Sequence, residues 1–231
     1  MNESRKPAAV SRSKKTQSAD VTSAQKPYHH GSLPNALLAA AETVLRHDGI
    51  SGLSLRSIAR EAGVSHTAPQ HHFGDTAGVL SELAASGHLR LTETMAKHAH
   101  GLPPGPQRRR AIARGYVSFA VTNPDLFRLM SRAEMLDNTR PSLVEARRAS
   151  AMALSDVADD TDDTDDTPEA TQPPPKLDAT RAVAMTAAWA YVHGLATLLI
   201  DGRLNGLALA ADGVESADAL VDATIEQMRI G

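Results

Sequence analysis

The chain has 231 residues, a hydrophobic content of 42% and only 3% aromatic residues. Its core must therefore come from Ala, Leu, Val, Ile and Met, which favour helices over a β-sandwich. No cysteine and no apolar run of about eighteen residues occur, so we expect a cytoplasmic protein without disulfides, transmembrane helix or membrane partner. The net charge of −3 hides an asymmetry, because nine acidic residues lie between positions 155 and 178 while six Lys or Arg lie in residues 1–27.

The first predicted helix follows a tail without apolar periodicity. Residues 1–27 are rich in Ser, Lys, Arg, Ala and Thr, and we expect a disordered basic tail. Ser32 is the predicted N-cap of a helix that ends at Asp48 and Gly49. Its apolar face comprises Leu37, Leu38, Ala41, Val44 and Leu45.

The segment from Ser54 to Phe73 has the spacing of two short helices joined by a tight turn. Ser54 is a predicted N-cap, Gly63 stands where the chain must turn at positive φ, and Ser65 is a second predicted N-cap. A capped helix, a glycine turn and a second capped helix form the layout of the DNA-binding helix-turn-helix. The apolar stripe of the first helix comprises Leu55, Ile58, Ala59 and Ala62, and Phe73 is expected in the core.

Beyond Phe73 the pattern predicts further helices and two interruptions. Asp75 is the predicted N-cap of a long helix that reaches Met95, and GLPPGP ends that region. The acidic, proline-rich residues 156–177 predict a disordered loop. With further helices near 107–121, 124–130, 141–157, 178–201 and 215–230, we expect an all-α protein of about nine helices, an N-terminal three-helix unit followed by a C-terminal helical bundle.

Two stretches resemble the TetR family of one-component transcriptional regulators. YHHGSLPNALLAAAETVLRHDGISGLSLRSIAREAGVSHTAPQHHFGDTAGVLSEL, which begins at Tyr28, resembles the family's N-terminal domain. AWAYVHGLATLLIDGRL resembles the C-terminal domain named for its Trp…His-Gly signature, here Trp189, His193 and Gly194. The resemblance implies a DNA-binding domain at 28–91, with its motif at 54–73, and an effector-binding and dimerisation domain at 92–231.

The resemblance also implies how such a protein works. A homodimer binds a palindromic operator in double-stranded DNA, associates with the nucleoid there, and represses transcription. A small-molecule effector enters the C-terminal bundle and shifts the dimer towards a state with lower DNA affinity. No cofactor and no metal is implied.

The residues expected to contact DNA lie on and around the second helix of the motif. Gln70 stands where the family commonly has Tyr, and Thr76 where it often has Lys, so two contacts to phosphate are missing. Gln70 could instead read adenine through its amide, and we hypothesise that the basic tail restores some phosphate attraction. Arg56 is a predicted phosphate contact, and the alternative for it is an exposed, solvated side chain without a DNA contact. The predicted contacts are Arg56, Ser65, His66, Thr67, Ala68, Gln70, His71, His72 and Thr76.

The helix around Trp189 is apolar on two neighbouring faces, which predicts that it packs on its own bundle and on a partner subunit. The alternative to a pocket role for Trp189 and His193 is a buried core with a satisfied histidine. Candidate pocket residues are Phe119, Phe127, Met130, Met135, Trp189 and His193. Candidate dimer-interface residues are Ala188, Tyr191, Leu195, Leu198, Leu220, Thr224 and Met228.

Other functions find less support in the sequence. The chain lacks a Gly-rich phosphate loop, a GxSxG motif and a cysteine nucleophile, so we expect no enzymatic activity. Five histidines in the predicted DNA-binding region are candidate metal ligands, His29, His30, His66, His71 and His72, but they lack zinc-ligand spacing. Two alternatives stay open: an architectural DNA-binding protein without an effector, which a pocket-free C-terminal bundle would favour, and a helical dimer that has lost DNA binding.

Overall fold

The computed structural model describes residues 33–155 and 178–228, and every regular element in these ranges is helical, which confirms the predicted all-α fold. The described residues form ten α-helices rather than about nine, with 3-10 turns at Ile50–Gly52 and Ala133–Met135. The helices are α1 (Leu33–Asp48), α2 (Leu55–Ala62), α3 (Ala68–Phe73), α4 (Thr76–Ala99), α5 (Pro106–Thr122), α6 (Pro124–Met130), α7 (Pro141–Ser155), α8 (Ala179–Ile200), α9 (Asn205–Ala210) and α10 (Ala217–Glu226).

The helix absent from the sequence prediction is α9. It has six residues, of which only Ala208 is buried. One buried position in fewer than two turns leaves no apolar stripe for a periodicity argument to detect. Three other predictions, the tail at 1–27, the Ser32 cap and the acidic loop at 156–177, lie outside the described residues.

The first helices pack as the predicted three-helix unit. The face of α1 predicted to be apolar is largely buried, and Leu37 and Ala41 have no exposed surface. Ile58 of α2 is likewise fully buried, and α3 contacts α1, α2 and α4. An ion pair between Glu42 Oε1 of α1 and Arg90 Nη1 of α4, 2.9 Å apart, adds a polar contact to this packing.

The longest helix, α4, lies against α1, α3, α5, α6 and α7. Its 24 residues correspond to about 36 Å at 1.5 Å per residue. Residue 91, where we place the end of the DNA-binding domain, lies inside this continuous helix. One rigid element therefore runs from the helix-turn-helix into the C-terminal bundle.

Helix α8 divides its apolar surface between the chain's own core and solvent. Ala188, Val192 and Ala196 are fully buried, whereas Val183 is 68% exposed. The prediction that Ala188 lies at a dimer interface is therefore wrong, because its face packs inward. By length and composition α8 could cross a membrane, with a mean hydropathy of 1.6 over its best window, of which 17% is buried. A core helix with one uncovered apolar face has the same properties.

Candidate DNA-binding surface and effector cavity

Hydrogen bonds between Ser54 and Ser57 fix the start of α2, the first helix of the motif, as predicted. Ser54 Oγ accepts from the Ser57 backbone N–H at 3.0 Å, and Ser57 Oγ accepts from the Ser54 N–H at 2.9 Å. These reciprocal bonds satisfy two amides that the first turn leaves free. Gly63 ends α2 with φ 66° and ψ 32°, a left-handed conformation that glycine adopts without a Cβ clash. The predicted cap and turn are confirmed.

The second helix of the motif begins later than predicted. Its N-cap is Thr67, and the Ser65 hydroxyl instead forms a 2.9 Å hydrogen bond with Thr67 Oγ1 in the preceding turn. The prediction of Ser65 as N-cap is therefore wrong. Pro69 explains the shift, because proline has no N–H to donate and is tolerated only in the first turn of a helix.

Most of the residues predicted to contact DNA are exposed to solvent on and around this motif. Buried Pro69 and Phe73, which is 7% exposed, anchor α3 on the core, as predicted for Phe73. Asp75 caps α4 by accepting from the Gly78 N–H at 2.8 Å, which confirms that predicted N-cap. The surface comprises exposed Arg56, Ser65, His66, Thr67, Gln70, His71 and His72, with Ala68 and Thr76 half-buried.

A cavity of about 750 Å³ lies among α4, α5, α6, α7 and α8. Four of the six predicted pocket residues, Phe127, Met130, Trp189 and His193, line it. The other two do not: Phe119 is 2% exposed within the core, and Met135 lies in the 3-10 turn that follows α6. The volume is in the range of sites that bind drug-sized molecules.

Aromatic rings form one side of the cavity. Tyr116 and Phe127 meet edge to face with ring centroids 5.8 Å apart, and Phe127 lies 5.1 Å from His193. Tyr116 Oη and His193 Nδ1 are 3.0 Å apart, so the histidine is both hydrogen-bonded and part of the cavity wall. Burial raises the pKa of Tyr116 to about 12 and lowers the pKa of His193. Both side chains are neutral near pH 7.

The polar residues that the sequence analysis missed in the cavity include His88 and Arg147. His88 of α4 and Arg147 of α7 line it together with Ser150. The Ser150 hydroxyl donates to the Arg147 carbonyl at 3.0 Å, so its oxygen accepts from His88 Nδ1–H at 2.8 Å. His88 Nε2 is buried without a partner among the described residues. The sequence signal that could have identified His88 is a lone histidine between apolar positions of the predicted long helix.

Protonation of His88 should make the stability of the protein depend on pH. Burial, and then the charge of Arg147, lower the pKa of His88 from 6.5 to about 4. As the pH falls below 6.5 the unfolded chain takes up a proton that the folded chain does not, so stability decreases with falling pH. We expect a loss of about 2 kcal/mol in unfolding free energy between about pH 8 and about pH 5 from this group.

Urea denaturation of wild type and His88→Asn at both pH values checks this prediction. Asparagine keeps a donor towards Ser150 but does not titrate. The stability difference between the two proteins should therefore change by about 2 kcal/mol across the range. A constant difference would contradict the assigned protonation state.

The residues just before α7, among them Asp137 and Arg140, contact α4 and the end of α3. Arg140 Nε donates to Glu82 Oε1 of α4 at 2.6 Å, and its Nη1 donates to the Phe73 carbonyl, the last of α3, at 3.4 Å. The Asp137 N–H donates to Ser81 Oγ of α4 at 2.8 Å. Met130, Ser131 and Ala133 line the cavity. Fewer than ten residues of the chain separate each of them from Arg140, whose guanidinium contacts the last residue of α3.

Comparison with known families agrees with this arrangement. Residues 37–83 match the model described as bacterial regulatory proteins, tetR family, and residues 109–224 match the tetracyclin repressor-like C-terminal domain. The chain belongs to the TetR family. It is therefore a DNA-binding transcriptional regulator by family, which confirms the predicted resemblance, while the Trp…His-Gly type of C-terminal domain stays a prediction.

Solved structures share the fold of this TetR-family protein. A protein of unknown function from Rhodococcus sp. RHA1 is 35% identical, with a TM-score of 0.64 over 88% of this chain and 99% of that one. The TetR family transcriptional regulator PfmR from Thermus thermophilus is 16% identical, with a TM-score of 0.52 over 82% and 94%. FadR from Bacillus subtilis, in complex with stearoyl-CoA, is 12% identical, with a TM-score of 0.60 over 85% and 97%. A comparison with curated protein sequences gives no significant match.

Proposed function

We propose that this TetR-family protein is a cytoplasmic repressor that binds a palindromic operator as a homodimer and leaves it when a small molecule enters the cavity. The observation that carries the proposal is that α4 both contacts the recognition helix α3 and supplies His88 and Leu91 to the cavity wall. A ligand that fits only one position of α4 thereby favours one position of α3. Such a difference in ligand affinity is what shifts a two-state equilibrium.

The cavity favours this function over an architectural DNA-binding role. An architectural protein has no need for a cavity of about 750 Å³ beside the helix that supports α3. The structure of FadR with stearoyl-CoA is a case in which a protein of the same fold carries a small molecule. We infer that the cavity of this chain is likewise a ligand site, without enzymatic activity.

The uncovered face of α8 supports the homodimer. Val183, Ala187 and Ala190 are exposed on this helix, and a second copy of the chain would remove them from water. Tyr191 Oη donates to the Thr224 carbonyl at 2.9 Å, which joins α8 to α10 within one subunit. The predicted interface positions that stay partly accessible for a partner are Tyr191, Leu195, Leu198, Leu220, Thr224 and Met228.

A gel-shift assay with the DNA upstream of the protein's own gene tests the function. At about 0.15 M salt we expect a sequence-specific complex, because non-specific phosphate binding is weak there. Gln70 lies exposed on α3, and its replacement by alanine should raise the Kd for the specific site about tenfold if its amide reads a base.

Gln107→Ala is the matched control, since Gln107 is also exposed but lies beyond the opposite end of α4. Its Kd should equal that of wild type. Persistent absence of a specific complex would support the alternative of a helical dimer that has lost DNA binding. An equal loss in both variants would contradict the assignment of α3 as the recognition helix.

A further inference from the structure

The polar groups of the cavity wall are neutral near pH 7 apart from one permanent positive charge. Among the described lining residues there is no Asp and no Glu, and Arg147 is the only Lys or Arg. The hydroxyl groups come from residues such as Ser131 and Thr186. A cationic ligand would therefore meet a like charge and no carboxylate.

The charge of Arg147 has no counter-ion in the described part of the chain. Its Nη1 donates to the neutral amide oxygen of Asn138 at 2.7 Å, and the other guanidinium N–H groups have no bond to a carboxylate. Nearby arginines differ, because Arg132 pairs with Glu134 and Arg140 pairs with Glu82. A half-buried guanidinium with free donors is a strong site for a planar anion.

The charge of Arg147 acts on another group of the cavity wall. It contributes, after burial, to the lowered pKa of His88, which forms part of the same wall. Because Arg147 itself lines the cavity, its positive potential extends over the space that a ligand would fill. In a partly desolvated cavity this potential favours an anionic group over a neutral one.

A hydrogen-bonded pair of neutral side chains lies on the aromatic side. Tyr116 Oη and His193 Nδ1 lie 3.0 Å apart, and burial raises the pKa of Tyr116 and lowers the pKa of His193, so both side chains are neutral near pH 7. The guanidinium of Arg147 is therefore the charged group of the cavity wall to which an anion would bind.

The remaining wall is apolar. Leu91, Phe127, Met130, Leu154 and Met185 supply flexible or aromatic surface that can accept an aliphatic chain or a ring. We propose that the effector is an apolar molecule with a single carboxylate, bound with the carboxylate at Arg147 and the apolar body against this surface. The proposal rests on the effector site proposed above.

Three probes that differ only in the head group test the proposal by titration calorimetry near pH 7.5. They are decanoate, decan-1-ol and decylamine, used with the full chain. We expect decanoate to bind at least about tenfold more tightly than the alcohol, because a charge-assisted pair with a guanidinium contributes more than a neutral hydrogen bond. The amine should bind more weakly than the alcohol.

Arg147→Met removes the charge at similar side-chain length. It should bring the Kd of decanoate to within about threefold of the Kd of the alcohol, and leave the alcohol unchanged. Arg147→Lys should keep most of the preference, which shows that a folded cavity is present. Arg148→Met is the matched control, since Arg148 is exposed and does not line the cavity, and its preference should equal that of wild type.

Decanoate binding no better than the alcohol, or no binding of any probe, would overturn the proposal. A preference that survives in Arg147→Met would overturn it as well. The effect of each probe on operator binding is measured separately. It tests the proposed repressor function, whereas the binding preference tests the carboxylate assignment. If decan-1-ol alone binds and releases operator DNA, the repressor function stands and the carboxylate assignment fails. If decanoate binds through Arg147 but operator affinity is unchanged, the assignment stands and the effector-controlled function fails.

Discussion

Replacing Gly115 by alanine is expected to lower the unfolding free energy by about 3 kcal/mol. Gly115 is buried on α5 where that helix meets α4. A Cβ at this position would lie 2.8 Å from Met95 Cα, 3.0 Å from the Thr94 carbonyl oxygen and 3.2 Å from Met95 N. These are backbone atoms, so no side-chain rotation relieves the contact and the two helices must separate.

Urea denaturation followed by circular dichroism measures this loss. Gly206→Ala is the control, because a Cβ at Gly206, also on a helix, meets no atom within 4 Å. That variant should match wild type or gain up to about 1 kcal/mol from helix propensity. Equal midpoints for the two variants would show that α4 and α5 do not approach as closely as described.

Replacing Arg140 by methionine should both destabilise the protein and uncouple the cavity from α3. Arg140 and Glu82 are 22% and 25% exposed, and Ser142 Oγ also donates to Glu82 Oε1 at 3.0 Å. Removal of the guanidinium leaves Glu82 partly buried without its cation, which should cost about 2 kcal/mol in unfolding free energy. It also removes the contact to the Phe73 carbonyl.

The uncoupling is measured as the ratio of operator Kd values with and without a saturating ligand of the cavity. In Arg140→Met the coupling free energy should fall by about 1 kcal/mol, while ligand affinity itself stays within a few-fold of wild type. Arg132→Met is the control, because Arg132 and Glu134 are 58% and 64% exposed and such a pair contributes little. An unchanged ratio in Arg140→Met would mean that coupling runs through α4 alone.

Local signals made the helix-turn-helix predictable. The Ser54 cap and the Gly63 turn depend on hydrogen bonds and φ angles within a few residues, so the sequence contains the full cause. The same local logic failed at Ser65, because Pro69 four residues later excludes a helix that starts there. A capping residue has to be weighed together with the whole first turn that follows it.

The cavity was only half predictable for a different reason. Phe127 and Trp189 were inferred from residue type, whereas Arg147 and His88 line the cavity because of how α7 and α4 are rotated about their axes. That rotation is set by contacts between helices distant in the chain. Ala188 illustrates the same limit: α8 is apolar on two faces, and only packing against its neighbours decides which face turns inward.

Trp189 is the single tryptophan of the chain, it is 55% exposed, and it lies on the cavity wall with its ring centroid 5.9 Å from that of His193. Its intrinsic fluorescence therefore originates from one place, and a molecule that enters the cavity replaces the water around the indole. The emission maximum and intensity report occupancy directly, without a label. Since the chain also lacks cysteine, one cysteine introduced on exposed α3 would carry an acceptor dye at a unique position. Energy transfer from Trp189 to that dye would follow the recognition helix in the same sample that reports ligand binding.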